Sequence, residues 1–136
     1  MKKEEILKNI KNTYCRLRSS KVSGVGIIAI RNIPAKSDPF LGINNQKWYK
    51  FHISDFKNTD KEVTKMIDDF FGFEKNGETW VPEFGLNGMD ISFFINHSKT
   101  PNIKTIDGGQ NFRTLRKIKK GEELVIDYAN YNWEYK

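Results

Sequence analysis

The apolar positions along the chain change period more than once. In residues 2–11, Ile6, Leu7 and Ile10 recur at helical spacing among charges, the pattern of a short amphipathic helix. From Tyr14 the texture becomes that of strands, first over 14–17 and then over 25–30, the second following the Ser23-Gly24-Val25-Gly26 turn and closed by Pro34. Segment 44–56 mixes Trp48, Tyr49, Phe51 and Phe56 with polar residues at no single period, so it carries no assignment. The strongest helix signal covers 60–71, where Val63, Met66, Ile67, Phe70 and Phe71 fall at i, i+3, i+4, i+7 and i+8. Thr59 with Glu62 three residues on has the form of a capping box, and Gly72 supplies a stop. A turn at Asn76-Gly77, a short strand over 79–81 and a Pro/Gly-punctuated loop through Gly88 follow. Strands over 102–106 and 111–115 flank Asp107-Gly108-Gly109-Gln110 as a hairpin, and 123–127 forms another strand after the Lys120-Gly121 turn. This order predicts a mainly β fold with short helices, without an internal repeat.

Composition bounds that picture. A chain of 136 residues with 38% hydrophobic and 13% aromatic content can bury one core, hence one domain. Cys15 is the sole cysteine and His52 and His97 the two histidines, which excludes a disulfide framework and leaves too few soft ligands for structural zinc. Segment 1–9 is charged, and no apolar run reaches the length of a signal core or a membrane span, so an intracellular location with no membrane partner is expected.

The formal charge of +6 and the pI near 9.4 suggest nucleic acid until their placement is considered. Residues 1–21 carry seven basic side chains against two acidic, 7 − 2 = +5, whereas 51–95 carry four against nine, 4 − 9 = −5. A basic arm followed by an acidic middle suits a protein that receives a cationic peptide at least as well as one that coats phosphates. A nucleic-acid binder using 1–21 and the cluster Arg113, Arg116, Lys117, Lys119 and Lys120 is the less favoured alternative, since a solvated face explains such clusters.

Three segments, in order, carry more specific information: Ser23-Gly24-Val25-Gly26-Ile27-Ile28-Ala29, Phe94-Ile95-Asn96-His97-Ser98-Lys99-Thr100-Pro101-Asn102, and Lys120-Gly121-Glu122-Glu123-Leu124-Val125-Ile126-Asp127-Tyr128. The Gly-x-Gly turn alone is weak, because any tight strand-to-strand turn produces it. The Asn-His-Ser-x-x-Pro-Asn string is far more specific, and with the Gly-Glu-Glu-Leu-x-x-x-Tyr ending in the same order the chain resembles the SET-domain protein-lysine methyltransferases.

The resemblance implies a SET-type fold of small sheets with a C-terminal pseudoknot. Within one domain over 1–136 it implies a helical arm over 1–12, a variable insert over 40–88, the core motifs over 89–130 and a tail over 131–136. It implies S-adenosyl-L-methionine as cofactor, touched by Gly24, Val25, Gly26, Asn96, His97 and Tyr128, and a lysine-bearing, basic protein segment as substrate. Glycines at 24 and 26 would let the backbone approach a bulky ligand. His97 is not expected to act as a base, and Tyr128 is the expected catalytic residue. A tyrosine of ordinary pKa about 10 is a poor base at neutral pH, so its role would be to orient amine and methyl, with proximity doing most of the work. Tyr131, Trp133 and Tyr49 are candidates for the substrate-lysine channel, with Trp48 beside Tyr49, because aromatic walls suit an aliphatic stem and cationic head; Ile126 joins them because the resemblance puts it where larger aromatic residues in relatives restrict the pocket, which would leave room for more than one methyl. Packing of a C-terminal tail would equally account for Tyr131 and Trp133.

The chain also departs from the family. Lys99 stands where many relatives have cysteine, and a cysteine-rich tail after the tyrosine is missing as well. Loss of the whole zinc module together resembles the compact viral and bacterial members, so no metal is expected. The competing reading is a SET-like module that binds peptide or cofactor without turnover.

Overall fold

The computed structural model describes residues 2–43, 46–107 and 111–130. Helix α1 (Lys3–Lys11) carries Glu4 and Glu5 in its first turn and Lys8 and Lys11 in its last, charges that complement the helix dipole at both ends. None of its residues is buried, and Ile6, Leu7 and Ile10 stay exposed. Past its end, the Asn12 carbonyl accepts a bond from Arg31, whose guanidinium lies 4.6 Å above the Tyr14 ring.

Strands β1 (Cys15–Ser19) and β2 (Val25–Ala29) form an antiparallel hairpin with Cys15 opposite Ala29 and Ser19 opposite Val25. Strand β3 (Trp48–His52) arises inside the segment that has no period of its own. A 3₁₀ turn over Ile53–Phe56 closes it, and the reciprocal capping bonds occur here: Ser54 N–H donates to His52 Nδ1 at 3.1 Å, and His52 N–H donates to Asp55 Oδ2 at 2.9 Å. Helix α2 (Lys61–Phe70) therefore does not use the capping box expected at Thr59. Asp60 is its N-cap and accepts the Glu62 N–H at 2.8 Å, placing a full negative charge against the dipole where a threonine hydroxyl would offer only a lone pair. Strand β4 (Glu78–Pro82) pairs antiparallel with β3, His52 opposite Glu78 and Trp48 opposite Pro82, so β3 owes its extended form to a partner distant in sequence.

The second sheet contains β5 (Asn96–His97), β6 (Ile103–Ile106), β7 (Asn111–Thr114) and β8 (Glu123–Ile126), together with β1 and β2. The expected hairpin of β6 and β7 forms with Ile103 opposite Thr114, while 108–110 lie outside the described residues. The start of β8 runs antiparallel to β2, with Ile27 opposite Leu124, and its end runs parallel to both β5 and β6. Ile126 faces His97 on one side and Ile103 on the other, so the segment joining β5 to β6 must cross over β8. This is the threaded arrangement expected of the C-terminal part. Asn102, 2% exposed, locks it: its amide donates to the Glu123 carbonyl at 2.8 Å and accepts the Val125 N–H at 2.9 Å, standing in for two ladder bonds.

The core sits beneath this crossing. Ile27, Ile33, Ile103, Ile118, Leu124 and Ile126 are fully enclosed, and Phe40 meets Phe112 edge to face at 5.2 Å. Outside it, α2 and β3 hold to the body largely through rings: Phe70 on Phe94 at 5.6 Å, Phe71 on Phe93 at 5.6 Å and Trp48 stacked on Phe93 at 5.9 Å. Among the described residues no helix is long and apolar enough to cross a membrane.

Candidate active site

The three sequence segments meet at β8. Asn96 Nδ2 lies within bonding distance of four acceptors: Glu123 Oε2 at 2.9 Å, Ser20 Oγ at 3.0 Å, and the carbonyls of Ser23 and Val25 at 3.1 Å each. Ser20 Oγ donates to the Glu123 carboxylate at 2.7 Å and accepts the N–H groups of Val22 and Ser23. One asparagine, one serine and one glutamate thus fasten the 20–26 turn to β8 and to β5. The cluster is a charge-assisted network in which each polar group finds partners.

The two glycines of that turn serve different ends. Gly24 has φ +47, a left-handed conformation that disfavours a side chain, and no atom lies within 4 Å of where its Cβ would stand. The turn is therefore open on that side, and Val25 beside it is exposed. Gly26 is filled from within: a Cβ there would lie 2.5 Å from Glu123 Oε2 and 2.9 Å from Ser20 Cβ. The close approach that requires Gly26 is made by the protein's own carboxylate.

On the other side of Asn96, His97 Nδ1 accepts the Tyr128 N–H at 3.0 Å, which places the ring proton on Nε2. The rings of His97 and Tyr128 lie 5.0 Å apart. Asp127 Oδ1 is 3.8 Å from the same Nδ1 and instead accepts the Ala129 N–H at 3.0 Å. Tyr128, separated from the end of β8 by one residue, begins a 3₁₀ turn, and its hydroxyl donates to the Ile95 carbonyl at 2.5 Å. Histidine and tyrosine are thus coupled through backbone, with the imidazole orienting the tyrosine.

Tyr128 and Ile95 form one wall of a cleft of about 650 Å³. Trp48, Phe70, Phe71, Trp80, Phe93 and Phe112 supply its aromatic lining. Asp69, Glu74, Glu78, Asp90 and Asp107 line it too, and among the described residues no lysine or arginine does. Of the channel candidates, Ile126 lies in the fully enclosed core, paired to His97, and does not line the cleft. Tyr49 is half exposed on the opposite face of β3 from Trp48, as strand alternation dictates, and Trp48 lines the cleft instead. Tyr131 and Trp133 lie outside the described residues.

Sequence reasoning singled out Asn96, His97 and Tyr128 but not Ser20, Glu123 or Asn102. Their signal was present only in part: Glu123 and Asn102 belong to the quoted motifs, whereas Ser20 has no local mark and is recruited across 103 positions of sequence separation. Cys15 is enclosed in the core, its Sγ 3.7 Å from the Pro39 carbonyl. Burial, then the nearby Asp38 charge, push its thiol up to about 12.

A family model described as the SET domain matches residues 24–129 of the chain. The protein therefore belongs to the SET-domain family, whose members are characteristically lysine methyltransferases. Among solved structures, the chain is similar to a candidate histone methyltransferase of Plasmodium falciparum, at 17% identity over 85% of this chain and 93% of that one, with a TM-score of 0.52. At that identity the likeness shows the fold. No curated protein matches the chain.

Proposed function

We propose that the chain transfers a methyl group from S-adenosyl-L-methionine to the side-chain amine of a lysine in an exposed, basic segment of another protein. The observation that carries this reading is the position of Tyr128, fixed by His97 and Ile95, at the wall of a cleft whose lining, among the described residues, holds five carboxylates and no cation. The open side of the turn at Gly24 and Val25, next to Asn96 and His97, fits the cofactor, because it leaves backbone polar groups and space on one surface. Gly26 fits it less directly, since Glu123 fills the space beside it.

When bound, the cofactor supplies an electrophilic methyl on a sulfonium; the methyl–sulfur bond breaks as the nitrogen–carbon bond forms, and the methylated amine carries the positive charge. The chain's own residues do the rest. The acidic lining draws in the lysine as an ammonium. Aromatic walls strip water from its stem, which favours the neutral amine that must attack. With its proton held by the Ile95 carbonyl, Tyr128 presents its oxygen as an acceptor that aligns the amine, so the tyrosine orients and does not need to ionise. Asn96 and Glu123 keep the cofactor turn in register with Tyr128 through β8.

A second reading, a SET-like module that binds without turnover, draws on the fact that four protein acceptors already surround the Asn96 amide. Transfer of labelled methyl to a protein lysate and to basic peptides separates the two. Label on lysine with the intact chain, falling about 10²-fold or more in Tyr128→Phe, is the expected result. Cofactor binding without label on any substrate would favour the silent module, and absence of binding would remove the role given to Gly24 and Asn96.

A further inference from the structure

Strand β1 ends the second sheet, with β2 on one side and, among the described residues, no strand on the other. Which backbone groups its open side presents follows from the ladder. The Ile30 N–H donates to the Tyr14 carbonyl and the Ser20 N–H to the Gly24 carbonyl, each at 2.8 Å, so Tyr14, Arg16, Arg18 and Ser20 are the residues that bond toward β2. The N–H and C=O groups of Leu17 and Ser19 point the other way, out of the sheet edge. That edge is uncovered, since Arg16, Leu17, Arg18 and Ser19 are all exposed.

The side chains along it are of two kinds. Arg16 and Arg18 share the face of Ile28 and Gly26, and among the described residues neither forms an ion pair. Leu17 lies on the other face, opposite the fully enclosed Ile27, and is 37% exposed, a ledge at the margin of the core. An edge of this kind rejects its own copy. In an antiparallel pair of two chains centred on Leu17, Arg16 of each would stand opposite Arg18 of the other, like charge against like at both positions. The same spacing suits the opposite charge, and the surrounding segment 1–21, at +5, favours it as well.

We propose that the free edge of β1 docks an extended acidic segment of another protein, added as an antiparallel strand with carboxylates at two alternate positions and an apolar residue between them. The apolar residue exchanges both backbone bonds with Leu17 and lies beside its side chain. The flanking acids then stand opposite Arg16 and Arg18 in the non-bonded pairs of the ladder, where Cα atoms are only about 4.5 Å apart and side chains meet most closely. A guanidinium grips a carboxylate there by two parallel bonds. A nucleic acid would use the arginines and leave the outward carbonyls and Leu17 idle. Among the described residues no part of β1 lines the cleft, so this surface stands whether or not the chain transfers methyl.

Fluorescein-tagged Gly/Ser peptides carrying Glu-x-Glu, with valine, isoleucine or threonine at x, test this by anisotropy with the full chain, beside Gln-x-Gln and Lys-x-Lys versions and a single-stranded oligonucleotide. The Glu-x-Glu peptides should bind about tenfold more tightly than Gln-x-Gln. N-methylation at x, which removes one ladder donor at unchanged charge, should weaken them about tenfold. Amide exchange locates the contact: the Leu17 and Ser19 N–H groups should exchange rapidly in the free chain and slow on binding. Arg16→Glu with Arg18→Glu, both at exposed positions, should turn the preference toward Lys-x-Lys; if that variant does not fold, the peptides with the intact chain decide. Equal binding of Glu and Gln peptides, indifference to N-methylation, or amides of Leu17 and Ser19 that stay unprotected would overturn the docking site. Tighter binding of the oligonucleotide than of any peptide would make β1 a phosphate surface instead, and a dimer in sedimentation with those amides already protected would give the edge to a second copy.

Discussion

The two sides of the cleft are held in different ways. The side bearing Ile95 and Tyr128 rests on β8, whose Leu124 and Ile126 are fully enclosed, and on the hydrogen bonds of Asn96, Asn102 and Glu123. The side bearing Trp48, Asp69 and Trp80 rests on ring contacts among Trp48, Phe71 and Phe93, and it leaves Tyr49, Trp80 and Phe84 exposed. Close packing with directional bonds fixes atoms to a single arrangement, whereas ring contacts between a two-stranded sheet and a short helix tolerate adjustment. Orientation of a reacting amine needs the first, and accommodation of differing peptides is served by the second. The difference teaches that chemistry and recognition can share one cleft while drawing on separate sources of stability.

That contrast can be broken from its rigid side first. Cys15, in the core, has its thiol raised from 9.0 to about 12, so at pH 8 its thiolate is about 10³-fold scarcer than in the unfolded chain. Labelling by a thiol reagent should slow by that order in the native protein and become fast in denaturant; rapid native labelling would mean that the core opens. Ile126→Ala should cost about 2–5 kcal/mol in denaturant unfolding, because the crossing strands cannot collapse onto the cavity. Gly26→Ala should cost about 1–3 kcal/mol by driving a methyl into Glu123 and should loosen the Ser20 cluster. On the other side, Trp80→Ala should change stability by no more than about 0.5 kcal/mol while altering peptide preference. A stability loss as large as that of Ile126→Ala would erase the distinction.

The smallest effect sharpens the comparison by its pH dependence. Arg116 donates to Glu122 at 2.9 Å and the Lys119 N–H at 2.8 Å, and these bonds hold the Glu122 carboxyl below its ordinary range. A carboxyl depressed in the folded state stabilises above its unfolded pKa, near 4.5, and loses that contribution as pH falls through the lower folded value. The pair is solvent-screened, so Glu122→Gln should cost only about 0.5 kcal/mol at pH 7 and nothing once both states are protonated. Unfolding midpoints at the two pH values measure it.

What was legible in the chain was local. The α2 stripe, the two hairpins and the strand after Lys120-Gly121 follow from periods and turn residues, which act over a few positions. Asn96, His97 and Tyr128 were marked by their motifs, and the fold set them side by side. Other features depended on distant partners. Strand β3 needed β4 to become a strand, Asp60 displaced Thr59 as the cap once the helix began one residue later, and Ile126 turned inward because β5 and β6 enclose it. The same limit hid Ser20, which gains its meaning from Glu123 across the sheet. Period and turn chemistry act along the chain, whereas the enclosure of a side chain and the partners of a polar atom are properties of the assembled whole. The sequence by itself determined the elements and the residues capable of chemistry. Only the tertiary structure decided which of them share a cleft, because that depends on a crossing of strands that no local rule anticipates.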